Sequence, residues 1–148
     1  MTEVGFAVEI DAPPKRVWVV VGDPRNLPHW ERHIVDVHGI GPEGLEAGDE
    51  YVTVMRFMGI TANVRARVVE WEPPRYSEIR LMGLLDATVI TTVRPIGKTR
   101  SLLEHRIDYR FRGGPLGEFA ARSLRAVGGA RLALRRGTLA QKREIEGL

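Results

Sequence analysis

The sequence predicts an α+β fold: a strongly curved antiparallel sheet of seven strands wrapped around one long C-terminal helix, with two short helices after the first strand. Three observations carry this. The last quarter of the chain has the period of a single amphipathic helix. The stretch before it is a run of short alternating segments joined by hairpin-length turns, which makes the sheet antiparallel. A long amphipathic helix must bury its stripe against something large, and the helices stand apart from the strands, as in α+β proteins.

The chain in order supports each element. Phe6, Val8 and Ile10 alternate with Ala7 and Glu9, the mark of a half-buried first strand. Asp11-Ala12-Pro13-Pro14 follows, with Asp11 placed to cap a short helix over Lys15 to Val21. Gly22-Asp23-Pro24 breaks that helix, and Asp23 can cap a second one containing Asn26 and Leu27. Ile34 to Ile40 reads as the second strand, Asp49 to Met58 as the third, and Gly59 marks a hairpin. Ile60, Ala62, Val64, Ala66 and Val68 alternate with Thr61, Asn63, Arg65 and Arg67, the cleanest two-residue period in the chain. Tyr76 to Met82 and Ala87 to Arg94 are the fifth and sixth strands. The seventh carries Leu103, His105, Ile107, Tyr109 and Phe111 on one face.

Gly113-Gly114 then releases the chain into the helix, expected from Pro115 to about Glu144. Its inner stripe includes Leu116, Phe119, Leu124, Leu134, Thr138, Gln141 and Ile145. At roughly 1.5 Å per residue it could reach on the order of 45 Å. The middle of that stripe is small: Ala120, Ser123, Gly128, Gly129 and Ala130. Two glycines in a helix cost roughly 1–2 kcal/mol relative to alanine. They mark either a kink with close approach to the sheet, or space left between helix and sheet for a cavity.

Composition bounds the rest. The 148 residues suit one domain, residues 1–148, with no repeat and no linker. The absence of cysteine excludes disulfides and thiolate chemistry. No apolar run approaches a membrane span, and the chain enters a strand pattern at once, so no signal peptide is expected. A soluble, cytoplasmic protein without stable membrane insertion is expected. Residues 115–148 contain seven Lys/Arg and three Asp/Glu, but no aromatics interleave the arginines as single-stranded nucleic acid would require. That basic face reads as solvated surface, so no nucleic-acid partner is expected.

Several local patterns resemble the helix-grip superfamily, which includes the pollen allergens, START lipid-transfer domains and polyketide cyclase/dehydrase-like proteins. The matching residues are Ile10-Asp11-Ala12-Pro13 with Val17-Trp18, then Asp23-Pro24, Asn26-Leu27-Pro28 and Trp30. Gly48-Asp49, Trp71-Glu72-Pro73-Pro74-Arg75 and the closing helix complete the set. The resemblance implies an internal cavity for an apolar ligand. It marks shape rather than chemistry, because the superfamily holds carriers, enzymes and chaperone partners.

Candidate site residues follow from strand parity. His105 shares the inward face of its strand with Leu103, Ile107 and Tyr109. It is either an acid or base near neutral pH or a core histidine satisfied by one hydrogen bond. Tyr109 can present its hydroxyl to a ligand or serve as a structural aromatic. The helix-grip resemblance implies that Trp30 lies at the cavity rim, as gate or packing anchor. Met55, Phe57, Ile79, Leu103, Phe119 and Leu124 are the expected apolar lining of a pocket of several hundred Å³, the usual size for ligand sites. Arg56 and Arg80 lie in strands whose facing is ambiguous; either one turned inward would meet an anionic group of the ligand.

His29, His33, His38 and His105 are the only histidines, and none has the spacing of a metal site. No metal or cofactor is expected. No nucleophile elbow or phosphate loop is present. The function expected is binding of a lipid- or polyketide-like hydrophobic small molecule. The alternatives are an aromatase/cyclase-dehydratase that uses His105 and Tyr109, and an interaction module partnering a chaperone or quinone-pathway protein.

Overall fold

A computed structural model describes residues 2–147. Its elements are β1 (Thr2–Ile10), α1 (Pro14–Val21), a 3₁₀ turn (Pro24–His29), β2 (Ile34–His38), β3 (Glu50–Phe57), β4 (Ile60–Glu72), β5 (Tyr76–Met82), β6 (Leu85–Ile96), β7 (Arg100–Phe111), α2 (Pro115–Ala126) and α3 (Gly129–Glu146). The strands form one sheet in the order β1-β7-β6-β5-β4-β3-β2, and every pair is antiparallel. It is a meander closed by β1 returning beside β7, with α1 and the 3₁₀ turn joining its two edge strands.

The alternation read from the sequence decides which side faces in. On β4, Val64, Ala66 and Val68 are fully buried while Arg65 and Arg67 are exposed. A bulge between Val68 and Glu70 then shifts the register, so that Trp71 pairs with Ser77. The extra residue reverses the parity: Val69 is exposed, and Trp71 turns in to meet Trp18 edge to face at 5.5 Å.

The expected single C-terminal helix is two helices. The break falls at Val127–Gly128, with φ of +103° at Gly128 and +85° at Gly129. Those angles lie in the left-handed region that glycine adopts without steric penalty, so the two glycines end one helix and start another. Leu116, expected on the inner stripe, is 44% exposed.

The start of α1 also differs from expectation. Pro13 occupies its N-cap with no side-chain bond, and Pro14 needs no N–H partner in the first turn. Asp11 does not cap it; its backbone N–H donates instead to the Glu146 carboxylate at 2.9 Å. With Lys142 Nζ donating to the Glu9 carbonyl at 2.9 Å, this ties the end of α3 to the β1–α1 corner. Asp23 does cap the 3₁₀ turn, accepting from the Arg25 N–H at 3.0 Å.

The apolar core is divided. One cluster joins Ile10, Val17, Val93, Leu103 and Ile145 beneath α1 and the end of α3. A second gathers Met55, Phe57, Val64, Leu85, Ala87 and Ala120 beneath α2. A third, around Tyr51, Ala66 and Val68, lies on β3 and β4. Helix α3 packs on β1 and α1, and α2 on β3 and β7. The middle of the sheet is left uncovered by close helix backbone.

Candidate functional site

That uncovered space is a cavity of about 250 Å³ between the inner face of β3–β7 and α3. Its wall is mainly apolar, with Met55, Phe57, Ile79 and Val89 from the sheet and Leu124 and Leu134 from the helices. The small residues of α3 set its roof. Ala130, Ala133 and Gly137 line it, and Gly137 lies against the backbone of Trp30. The glycine pair thus gives a break, while the small stripe beyond it leaves room.

Of the nine residues expected at the site, seven lie on this wall: Trp30, Met55, Phe57, Ile79, His105, Tyr109 and Leu124. Leu103 and Phe119 do not. Leu103 faces inward as its parity requires, but α1 and Ile145 cover it completely. Phe119 packs against the cluster beneath α2, because the helix break aims that turn at β3 and β7. Arg56 and Arg80 are both exposed, which removes them from the cavity; each alternates with inward neighbours, Met55 and Phe57 or Ile79 and Leu81.

His105 is deeply buried, and both ring nitrogens are engaged. Nε2 lies 2.8 Å from Gln141 Oε1 and Nδ1 lies 2.9 Å from Thr91 Oγ1. With the Gln141 oxygen as acceptor, Nε2 carries the proton, and the Thr91 hydroxyl donates to Nδ1. Burial pushes the imidazole below its ordinary pKa of 6.5, opposed by the Gln141 bond. The register places Trp71, Ser77, Thr91 and His105 in one row across four strands. Gln141 reaches this row from α3, so the polar contacts cross the cavity from sheet to helix.

A neutral histidine held on both sides makes a definite prediction. His105→Phe should strand the Thr91 hydroxyl and the Gln141 amide, and destabilise the fold by roughly 1–3 kcal/mol. The wild type should also lose stability as pH falls below about 6.5, because the unfolded chain takes up a proton that the folded one resists. Above that pH the contribution is fully present. Urea denaturation across pH 5–8 should show this slope in the wild type and its loss in His105→Phe.

Four residues outside the expected set, Glu144, Glu31, His33 and Tyr51, also shape the site. Trp30 Nε1 donates to Glu144 Oε2 at 3.0 Å, fixing the rim to α3. Glu31 and His33 line the wall and bond to each other at 2.8 Å, with the imidazole stacked on Phe57. That pair meets across a turn, closed by the Ile34 N–H donating to the Glu31 carbonyl at 3.0 Å, so strand alternation gave no signal for it. Tyr51 is another wall residue; burial pushes its phenol well above its ordinary pKa, so it is a neutral hydroxyl. Among the described residues no three His, Cys, Asp or Glu side chains gather as a metal site would require.

Comparison with known proteins places this architecture. Residues 1–145 match the family model described as polyketide cyclase / dehydrase and lipid transport. An uncharacterized protein of Mycobacterium tuberculosis, Rv1546, is 30% identical over 131 residues, covering 84% of this chain and 90% of that protein. The crystal structure of DR_A0006 from Deinococcus radiodurans superposes with a TM-score of 0.72 at 22% identity, over the full length of both chains. The Zhui aromatase/cyclase from Streptomyces sp. R1128 gives a TM-score of 0.70 at 18% identity, covering 99% of this chain and 92% of that one. At those identities the two structures share the fold with this chain.

Proposed function

Because the chain belongs to the polyketide cyclase/dehydrase and lipid-transport family, we propose that its cavity binds a compact hydrophobic small molecule and that the protein acts as a carrier. The observation that carries this reading is the apolar-walled space of about 250 Å³ between sheet and α3. Well-packed interiors leave few voids larger than a water, and an unfilled apolar space forfeits the contacts its lining would otherwise make. A volume near the low end for ligand sites favours a ring system or short chain over a long acyl tail.

The state of His105 counts against that residue as the base of a cyclase. A general base needs a free lone pair within reach of the proton it takes, and both nitrogens of His105 are occupied by Thr91 and Gln141. Titration with a fluorescent naphthalene-based probe tests the proposal. One probe per chain should bind, be displaced by other apolar molecules and be recovered unchanged. A poly-β-keto substrate released with one water lost would instead favour the enzyme. A partner protein carried through purification, with no probe binding, would favour the interaction reading.

A further inference from the structure

The cavity holds a second histidine, which is as buried as His105 but has only one ring nitrogen bonded to the protein among the described residues. Glu31 and His33 stand in the turn that leads from the 3₁₀ turn into β2, closed by the Ile34 N–H donating to the Glu31 carbonyl at 3.0 Å. Glu31 Oε1 accepts two bonds from His33, from the backbone N–H at 3.0 Å and from Nδ1 at 2.8 Å. The imidazole lies nearly flat on Phe57, with centroids 5.0 Å apart and planes 27° apart. With the carboxylate at its Nδ1 edge and the phenyl ring against its face, the imidazole is held in one orientation.

The chemistry of the free nitrogen follows. A carboxylate on Nδ1 keeps the proton there, so Nε2 of the neutral ring carries the lone pair. Nε2 has no protein partner among the described residues, and it is not among the side-chain atoms buried without one. It therefore reaches accessible space, on a residue that lines the cavity and is only 8% exposed. From the imidazole a continuous aromatic wall runs through Phe57 and Phe111 to Tyr109, with centroid spacings of 6.0 and 5.9 Å.

We propose that Nε2 of His33, oriented by Glu31, is the hydrogen-bond acceptor for the cavity's ligand, and that this ligand is an apolar molecule carrying a neutral hydroxyl group. The proposal rests on the cavity being a ligand site. The hydroxyl donates to Nε2, and the hydrocarbon lies along Phe57 and Phe111. An ether or pure hydrocarbon leaves Nε2 desolvated without a partner, which is unfavourable. A carboxylate ligand would bring a second negative charge towards Glu31, which like-charge repulsion opposes.

Two probes of one skeleton test this: 2-naphthol, which donates, and 2-methoxynaphthalene, which does not. Near neutral pH the wild type should bind 2-naphthol about ten-fold more tightly, the size expected of one hydrogen bond. His33→Phe keeps a ring against Phe57 and removes both nitrogens, so it should bind the two probes equally. Equal affinities in the wild type, or a preference that survives His33→Phe, would overturn the proposal while leaving the cavity reading intact. Failure of both probes to bind the wild type would remove the cavity reading and the proposal with it. A measurement on the wild type alone guards against a variant that misfolds. In ¹⁵N imidazole spectra, 2-naphthol should move the Nε2 resonance of His33 and leave His105 unmoved. Movement at His105 alone would contradict the assignment.

Discussion

Ala133→Phe is expected to weaken binding of a naphthalene-based probe at least about 100-fold, equivalent to roughly 2.7 kcal/mol, while the protein stays folded. Ala133 lies on α3 with its methyl group at the cavity wall, and it is 7% exposed. A phenyl ring added in a well-packed core forces neighbours aside and destabilises by about 1–3 kcal/mol. Here the ring has about 250 Å³ to enter. It should fill the space a ligand would use and bury apolar surface of its own. Probe titration and thermal melting on the same variant read the two effects separately. A loss of stability with unchanged affinity would mean that the ring does not enter the cavity.

Leu103→Ala should do the reverse, lowering stability by about 2–5 kcal/mol, as for other fully buried leucines, with little change in probe affinity. Leu103 is completely buried among Ile10, Val17, Trp18, Val93 and Ile145, and it does not touch the cavity. Leu124→Ala removes the same atoms from a half-buried position on the cavity wall. It should cost less stability and change affinity more. Urea midpoints at constant slope measure the first effect, and the probe measures the second. Equal losses of stability at the two positions would contradict the division of the core described here.

The contrast between those leucines shows where sequence reasoning reached its limit. Alternation on β4 and β7 correctly placed Val64, Ala66, Val68, Leu103 and His105 on the inner face. Parity tells which face a residue takes; it does not tell what lies above that face. Leu103 is covered by α1 and the end of α3, whereas His105, one inward position along, borders open space. Phe119 failed for a related reason. Its helical phase was extrapolated through Gly128 and Gly129, and a left-handed pair resets the phase. The bulge at Val69 was equally hidden, because two-against-one pairing exists only once β5 is alongside.

The polar part of the site was less legible than the apolar part. Gln141 and Thr138 were visible as polar residues on the buried helical stripe, but only the fold brings Gln141 to His105 across 36 residues. His33 lies just before β2, outside any alternation, and its setting depends on Phe57 from the neighbouring strand. The settings of both histidines thus depend on tertiary contacts, although the His33–Glu31 bond itself is local. The apolar wall came from local periodicity, which a single sequence carries.

Native mass spectrometry of freshly purified protein, followed by extraction, tests the central claim most directly. The account predicts one small apolar molecule per chain, released intact on denaturation and absent from Ala133→Phe. Bare protein from every preparation, with no uptake of a naphthalene-based probe, would contradict it.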